Sequence, residues 1–205
     1  MQQAQETFED NNKILAITKP PIKLKNFFGH LGTINHHRRL VRQGCFKMGL
    51  YKQGLTHDLS KYSPVEFLTG CRFYQGTRSP NAKEREYFGY SRAWLHHKGR
   101  NKHHFEYWVD FSEHDNINPS GIITVDMPNR YIAEMIADRI AASKTYRGSE
   151  YLDSDPIKYY EAHNTKLPIS PSTRKKLIFL LKMLASDGEN KTFSYIKNVF
   201  LQNGK

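Results

Sequence analysis

The stretch NRYIAEMIADRIAASKTY, residues 129–146, constrains this chain more than any other. Ile132, Met135, Ile136, Ile140 and Ala141 recur at three-to-four spacing, with alanines elsewhere. That period is helical. Asp138 stands in the middle of it. A carboxylate among Ile136, Ala137, Ile140 and Ala141 is costly to bury unless it is paired or bound to metal. The alternatives are a side chain facing solvent or a pair with Arg139 or Arg130.

The rest of the chain reads the same way. HLGTINHHRRLVRQ carries Leu31, Ile34, His37 (or Arg38) and Val41 at helical spacing, with Gly44 able to close it. CFKMGLYKQG gives a short second helix ending at Gly54. Ser63 and Pro64 open a helix over PVEFLTGCRFYQ, with Glu66 placed as in a capping box. NAKEREYFGYSRAWLHH is a further helix, broken by KGRN, and HHFEYWVDF begins another apolar-aromatic stretch. SEHDNINPSG is a turn-rich loop and GIITVDMP a short extended segment before a proline. DPIKYYEAH follows, then SPSTRKKLIFLLKMLASDG with a Ser-Pro start and a Gly end, then KTFSYIKNVFLQ. There is no internal repeat, no heptad array and no alternating run long enough for a substantial sheet. The expected class is all-α. Residues 1–25 read as a polar, loosely ordered leader ending in KPPIK, and 26–205 as one helical domain with C-terminal packing helices.

A chain of 205 residues buries enough surface to need no disulfide staples. Cys45 and Cys71 fit a reducing compartment and are too few for a zinc-finger framework. No apolar run approaches the ~20 residues of a membrane span. The acidic, polar N-terminus does not read as a signal peptide. A cytoplasmic protein without membrane contact is expected. The net charge of +11 exceeds the ~2–8 typical of a small soluble domain. It points to an anionic partner: a nucleotide, with nucleic acid as a further possibility. Oligomeric state is not legible.

Ten histidines are present, and their placement matters more than their number. His36 and His37 are paired on the first helix. His57 precedes Asp58. His96 and His97 end one helix, and His103 and His104 begin the next stretch. Only His30, His114 and His163 stand outside this arrangement. Any one pair is explained by surface hydrogen bonding, but the set requires that explanation several times over. Imidazole with carboxylate suits Zn, Fe, Mn or Co rather than Ca. Two such sites sharing an aspartate would hold two metals ~3.5–4 Å apart, activate a bridging water and polarise a phosphoryl oxygen.

The order His37, His57-Asp58, histidines near 97 and 104, then Asp138 resembles the HD-domain metal-dependent phosphohydrolase superfamily, in its richer H…HD…H…H…D form. The match spans residues 30–146. GLTHDLSKYSPVEF, NKHHFEYW and MPNRYIAEMIADRIAASK look like an uncharacterised bacterial and phage branch of it, a domain of unknown function. The resemblance implies an HD-like helical bundle with His37, His57, Asp58 and Asp138 on a first metal. Asp58 would bridge to a second metal completed by His97 and His104. His36, His96 and His103 remain alternates within their pairs.

In members of the HDxxK type, a lysine placed like Lys61 contacts the substrate phosphate. Arg100, Asn101 and Lys102, between two implied ligands, are natural phosphate contacts, since Arg can grip phosphate bidentately. Lys144 and Arg147 follow the Asp138 helix and could line the same cleft. Glu134, one turn before Asp138, could orient a ligand histidine. Trp94, Tyr107 and Trp108 could stack on a base but are more simply core.

The expected function is a metal-dependent phosphohydrolase acting on a nucleotide or related phosphoester through a metal-bridging hydroxide, with Asp58 and Lys61 as its catalytic residues. Two other classes stay open. One is a di-iron oxygenase on the same scaffold; the other is a non-catalytic basic module that binds nucleotide or nucleic acid. The sequence has no Gly-rich phosphate loop, Ser nucleophile motif or CxxC pair, which removes P-loop NTPases, serine hydrolases and thioredoxin-like chemistry.

Overall fold

The structure, a computed structural model, describes residues 19–112, 121–163 and 167–203. The first 18 residues of the expected leader, and all but the ends of the loop 112–121, lie outside the described residues. The order of elements is α1 (Leu24–Lys47), α2 (Tyr51–Thr56), α3 (Pro64–Phe73), α4 (Pro80–Phe88), α5 (Arg92–Lys98), β1 (Val109–Phe111), β2 (Ile122–Thr124), α6 (Asn129–Arg147), α7 (Asp155–His163) and α8 (Pro171–Tyr195). Short 3-10 turns lie at Leu59–Tyr62, Phe105–Trp108 and Gly148–Glu150, and a π turn continues α8 over Ile196–Phe200. The chain is all-α apart from one small antiparallel ladder, in which Asp110 faces Ile123.

Helix α6 is the centre of the bundle. Residues 132–137 are all buried, so the helix is covered on nearly every side rather than on one stripe. Helices α1 and α8 both pack against it. Leu177, Leu180, Leu181 and Leu184 of α8 lose all contact with water against this core. Each contributes on the order of 2 kcal/mol by leaving water. The C-terminal stripes therefore cover the bundle, as packing helices were expected to do.

Boundaries differ from the expectation where glycine serves packing. Gly44 does not end α1, which runs on to Lys47. A Cβ at Gly44 would lie 3.2 Å from the Ala137 Cβ, so the glycine lets α1 approach α6 closely. Gly54 lies within α2 rather than beyond it. The single helix expected over 81–97 is two, because Gly89 takes φ 79° and Ser91 caps the second through the Trp94 N–H. The Ser63-Pro64 and Ser170-Pro171 starts hold, each serine accepting a hydrogen bond from the N–H three residues on. The Gly188 end becomes a break inside α8, with φ 80° and ψ 172°. Among the described residues, no helix is long and apolar enough to cross a membrane. Both cysteines are free and buried.

Helices α1 and α3 interlock through rings laid on glycines. A Cβ at Gly70 would fall 1.9 Å from His30 Nε2, and one at Gly29 would meet the Tyr74 ring. Gly70→Ala therefore overpacks this crossing and is expected to cost about 1–3 kcal/mol. Gly32→Ala, which meets nothing within 4 Å, is the control. Thermal denaturation should show the first melting several degrees lower and the second unchanged or slightly higher.

His30 is buried, and its pKa is pushed down to about 4, first by burial and then by the nearby Lys61 charge. In the unfolded chain the ring takes up a proton near pH 6.5, but the folded ring resists it. Its stabilising share is thus full above pH 6.5 and is lost as pH falls toward 4, by on the order of 2–3 kcal/mol. Denaturant titrations from pH 7 to 4.5 should show His30→Leu losing less stability than the parent over that window.

Candidate metal centre

Four segments bring the site together. His37 comes from α1 and Asp138 from α6, and the packing of these helices sets His37 Nε2 at 3.0 Å from Asp138 Oδ1. His57 and Asp58 come from the turn after α2. His97 ends α5, and His103 and His104 follow its loop. His36, one position round α1, is exposed.

The HD turn has an unusual backbone. Asp58 lies in the left-handed region at φ 53°, ψ 29°, and is the only non-glycine residue with positive φ among the described residues. Asp tolerates this conformation better than most residues, and such outliers cluster at functional sites. The reversal turns the Asp58 carboxylate back toward the ring of its own neighbour. Arg38 holds the turn from outside, donating from Nε to the His57 carbonyl at 2.8 Å and from Nη2 to the Leu55 carbonyl at 3.1 Å.

The two Asp58 oxygens face different partners. Oδ2 lies 3.3 Å from His57 Nε2 and 3.9 Å from His37 Nε2, beside Asp138. Oδ1 lies 3.3 Å from His97 Nε2 and 3.5 Å from His103 Nε2. His97 Nε2 and His104 Nε2 are 2.9 Å apart. Two donor groups result: His37, His57, Asp58 and Asp138, and Asp58, His97, His103 and His104. Donors held about 2.0–2.2 Å from one ion sit roughly 3–3.5 Å from each other, close to these spacings. His57 Nε2, His103 Nε2 and Asp58 Oδ1 are buried without a hydrogen-bond partner, while His37 Nε2 meets Asp138 and Asp58 Oδ2 meets Lys61. Buried polar atoms are rarely left so, and here they converge. The residues present could hold a metal ion.

Carboxylates behind the rings set their orientation. Glu134 Oε1 meets His57 Nδ1 at 2.9 Å and His103 Nδ1 at 3.2 Å, tying one ring of each group to one acceptor. Glu66 Oε2 meets His97 Nδ1 at 2.8 Å, and its Oε1 meets His96 Nδ1 at 2.6 Å. An ionised carboxylate only accepts, so the Nδ1 of His57, His103 and His97 carries a proton, and in the neutral ring Nε2 is left with the lone pair a metal would take.

Electrostatics agrees. Burial alone would raise the Asp58 carboxyl pKa, but His57, Lys61 and His97 hold it well below the usual range. Burial of Asp138 is likewise outweighed, by the His37 and His57 rings that face it. Burial opposes protonation of His57, yet Asp58, Asp138 and Glu134 raise its pKa well above 6.5, so without a bound cation the ring keeps a proton that a metal at Nε2 would displace. His104 goes the other way, driven down by burial and then by His103 and His97. Ionised carboxylates facing buried rings form a cation-seeking cavity.

The sequence-level assignments sort cleanly. His37, His57, Asp58, His97, His104 and Asp138 all come together, with Glu134 behind them. His36 stays out. His96 contacts Glu66 rather than the centre. His103 is not a substitute for His104: both belong, so the second group is one histidine richer than the resembled pattern. Lys61 Nζ lies 2.7 Å from Asp58 Oδ2 as an ion pair. Asn101 is buried and braces the wall, donating to Ser60 Oγ and the His97 carbonyl, each at 2.8 Å. Arg100 is exposed and donates back to the His96 carbonyl, while Lys102 lies over the Tyr107 ring.

Lys144 is not brought to the centre; it pairs with Glu189 at 2.5 Å, and Arg147 pairs with Asp155. Lying six and nine residues after Asp138, they point about 120° and 180° away from it round α6. The Trp94 ring packs against His97 and His104, and Trp108 packs on Tyr131. Glu66 was missed. An acidic residue three after a Ser-Pro start reads as a cap, and no local signal separates the two roles.

The model of a family of unknown function, DUF5662, matches residues 26–183. The chain belongs to that family. No curated protein and no solved structure matches it. The DUF5662 span contains every residue of both donor groups and both orienting glutamates.

Glu134→Gln should weaken metal retention about 10–100-fold, because a neutral amide oxygen is a weaker acceptor for the two Nδ1–H groups than a carboxylate and makes the rings poorer donors. Competition against a chromogenic chelator measures this, with Glu161→Gln on exposed α7 as the control.

Proposed function

We propose that this DUF5662 protein is a dinuclear metal-dependent phosphohydrolase on an HD-like helical bundle. It acts in the cytoplasm on a nucleotide or related phosphoester. One observation carries the reading: the buried Asp58 carboxylate offers one oxygen to each of two histidine groups. A pair of divalent transition ions (Fe, Mn, Zn or Co) would activate water and polarise a phosphoryl oxygen there.

The chain's own residues supply the rest. Glu134 and Glu66 keep the Nε2 lone pairs of His57, His103 and His97 directed inward. Lys61 is the cation beside the shared carboxylate, and its side chain stays 29% exposed. It is placed to meet phosphate charge from the open side. Asp138, 16% exposed at its side chain, marks that same side. The net charge of +11 favours an anionic substrate.

Metal content by inductively coupled plasma mass spectrometry tests this, with Asp58→Asn as the variant because asparagine also tolerates the left-handed turn. The parent should carry about two equivalents of transition metal and the variant one or none. With the metal found, the parent should hydrolyse bis(p-nitrophenyl) phosphate, and Lys61→Ala should raise KM. A folded parent that retains no metal after reconstitution would sink the proposal.

A further inference from the structure

A second cavity lies away from the metal centre. It opens where α1 and α6 meet the segment beyond Gly188, and has a volume of about 530 Å³. Leu40, Phe46, Ile140 and Phe193 form its apolar wall, and Gln43, Lys47, Lys144 and Glu189 its polar one. The break at Gly188, φ 80° and ψ 172°, turns the last part of α8 off the helix line and shapes this groove. The Lys144–Glu189 pair lies along the same wall, so those two charges are matched there.

A smaller cavity of about 400 Å³ adjoins it, sharing Lys47 and Phe193. Its chemistry is different. Lys47, Lys197, Asn190, Ser194 and Asn198 line it, with no acidic side chain among its described lining residues. Lys47 lies over the Phe193 ring at 5.7 Å and reaches Asn190 only at 3.5 Å. Two exposed cations and two exposed amides thus line the end of the groove beyond Phe193. Lys47 is ten residues past His37, about 15 Å along α1 by helical rise, so this polar end is separate from the candidate metal centre.

We infer that this double cavity binds a small organic anion, with its flat apolar body between Phe46 and Phe193 and its anionic head at Lys47 and Lys197. The volume suits a small ligand, and a few convergent polar groups on an apolar lining is the usual make-up of such sites. The inference does not rest on the phosphohydrolase reading.

Anilinonaphthalene sulfonate matches the expected shape and is the probe. Titrated into the metal-loaded protein, it should brighten and saturate at one site. Lys47→Gln with Lys197→Gln should weaken it about tenfold. Gln43→Trp, at the exposed rim, should fill the apolar end and abolish binding. Melting temperature and metal content should match the parent in both variants. Millimolar inorganic phosphate should compete if the head site takes phosphate; failure to compete, with both variant effects present, assigns the site to sulfonate or carboxylate heads. No brightening with the parent, or equal brightening in parent and variants, overturns the inference.

Discussion

The structure turns on one carboxylate. Asp58 sits in a left-handed turn, fully enclosed, with each oxygen aimed at a different set of imidazoles. Regular helix would send neighbouring side chains about 100° apart, so His57 and Asp58 could not reach one point from it. The reversed backbone at Asp58 lets them. Arg38 stabilises the reversal by taking up the carbonyls that the turn leaves outside the helical ladder. Every other member of the centre is arranged around those two oxygens.

Burying so much charge requires compensation on all sides. Asp58, Asp138 and Glu134 are enclosed by rings from α1, the HD turn and the loop after α5, and Lys61 adds a cation at the opening. Glu134 and Asp138 lie four residues apart on α6, on one face. The other buried residues of that helix are Ile, Met and Ala, packed against α1 and α8. The apolar packing therefore fixes the positions from which two carboxylates act. The leucines of α8 contribute to the site without touching it.

Much of this was legible in the chain. The period of 129–146 announced the central helix, and Asp138 within it had few structural explanations. The Ser-Pro starts at 63 and 170 marked helix beginnings because capping is local chemistry. What failed was also physical. Gly44 reads as a terminator, yet its use is close approach to Ala137, a contact between helices far apart in sequence. Glu66 reads as a cap, but its carboxylate bonds His96 and His97, thirty or more residues on. Lys144 reads as part of the Asp138 cleft, but its helix position carries it to Glu189.

By itself, then, the sequence determined an all-α chain, because helical period and capping are properties of residues near one another, and the ordered histidines and aspartates pointed through a family resemblance to most of the residues that cluster. Only the tertiary structure decided which histidine of each pair faces inward. His37 is in and His36 out, while His103 and His104 are both in. Neighbouring imidazoles are chemically identical. Their roles depend on the direction each Cβ takes from a backbone whose path is set by distant packing.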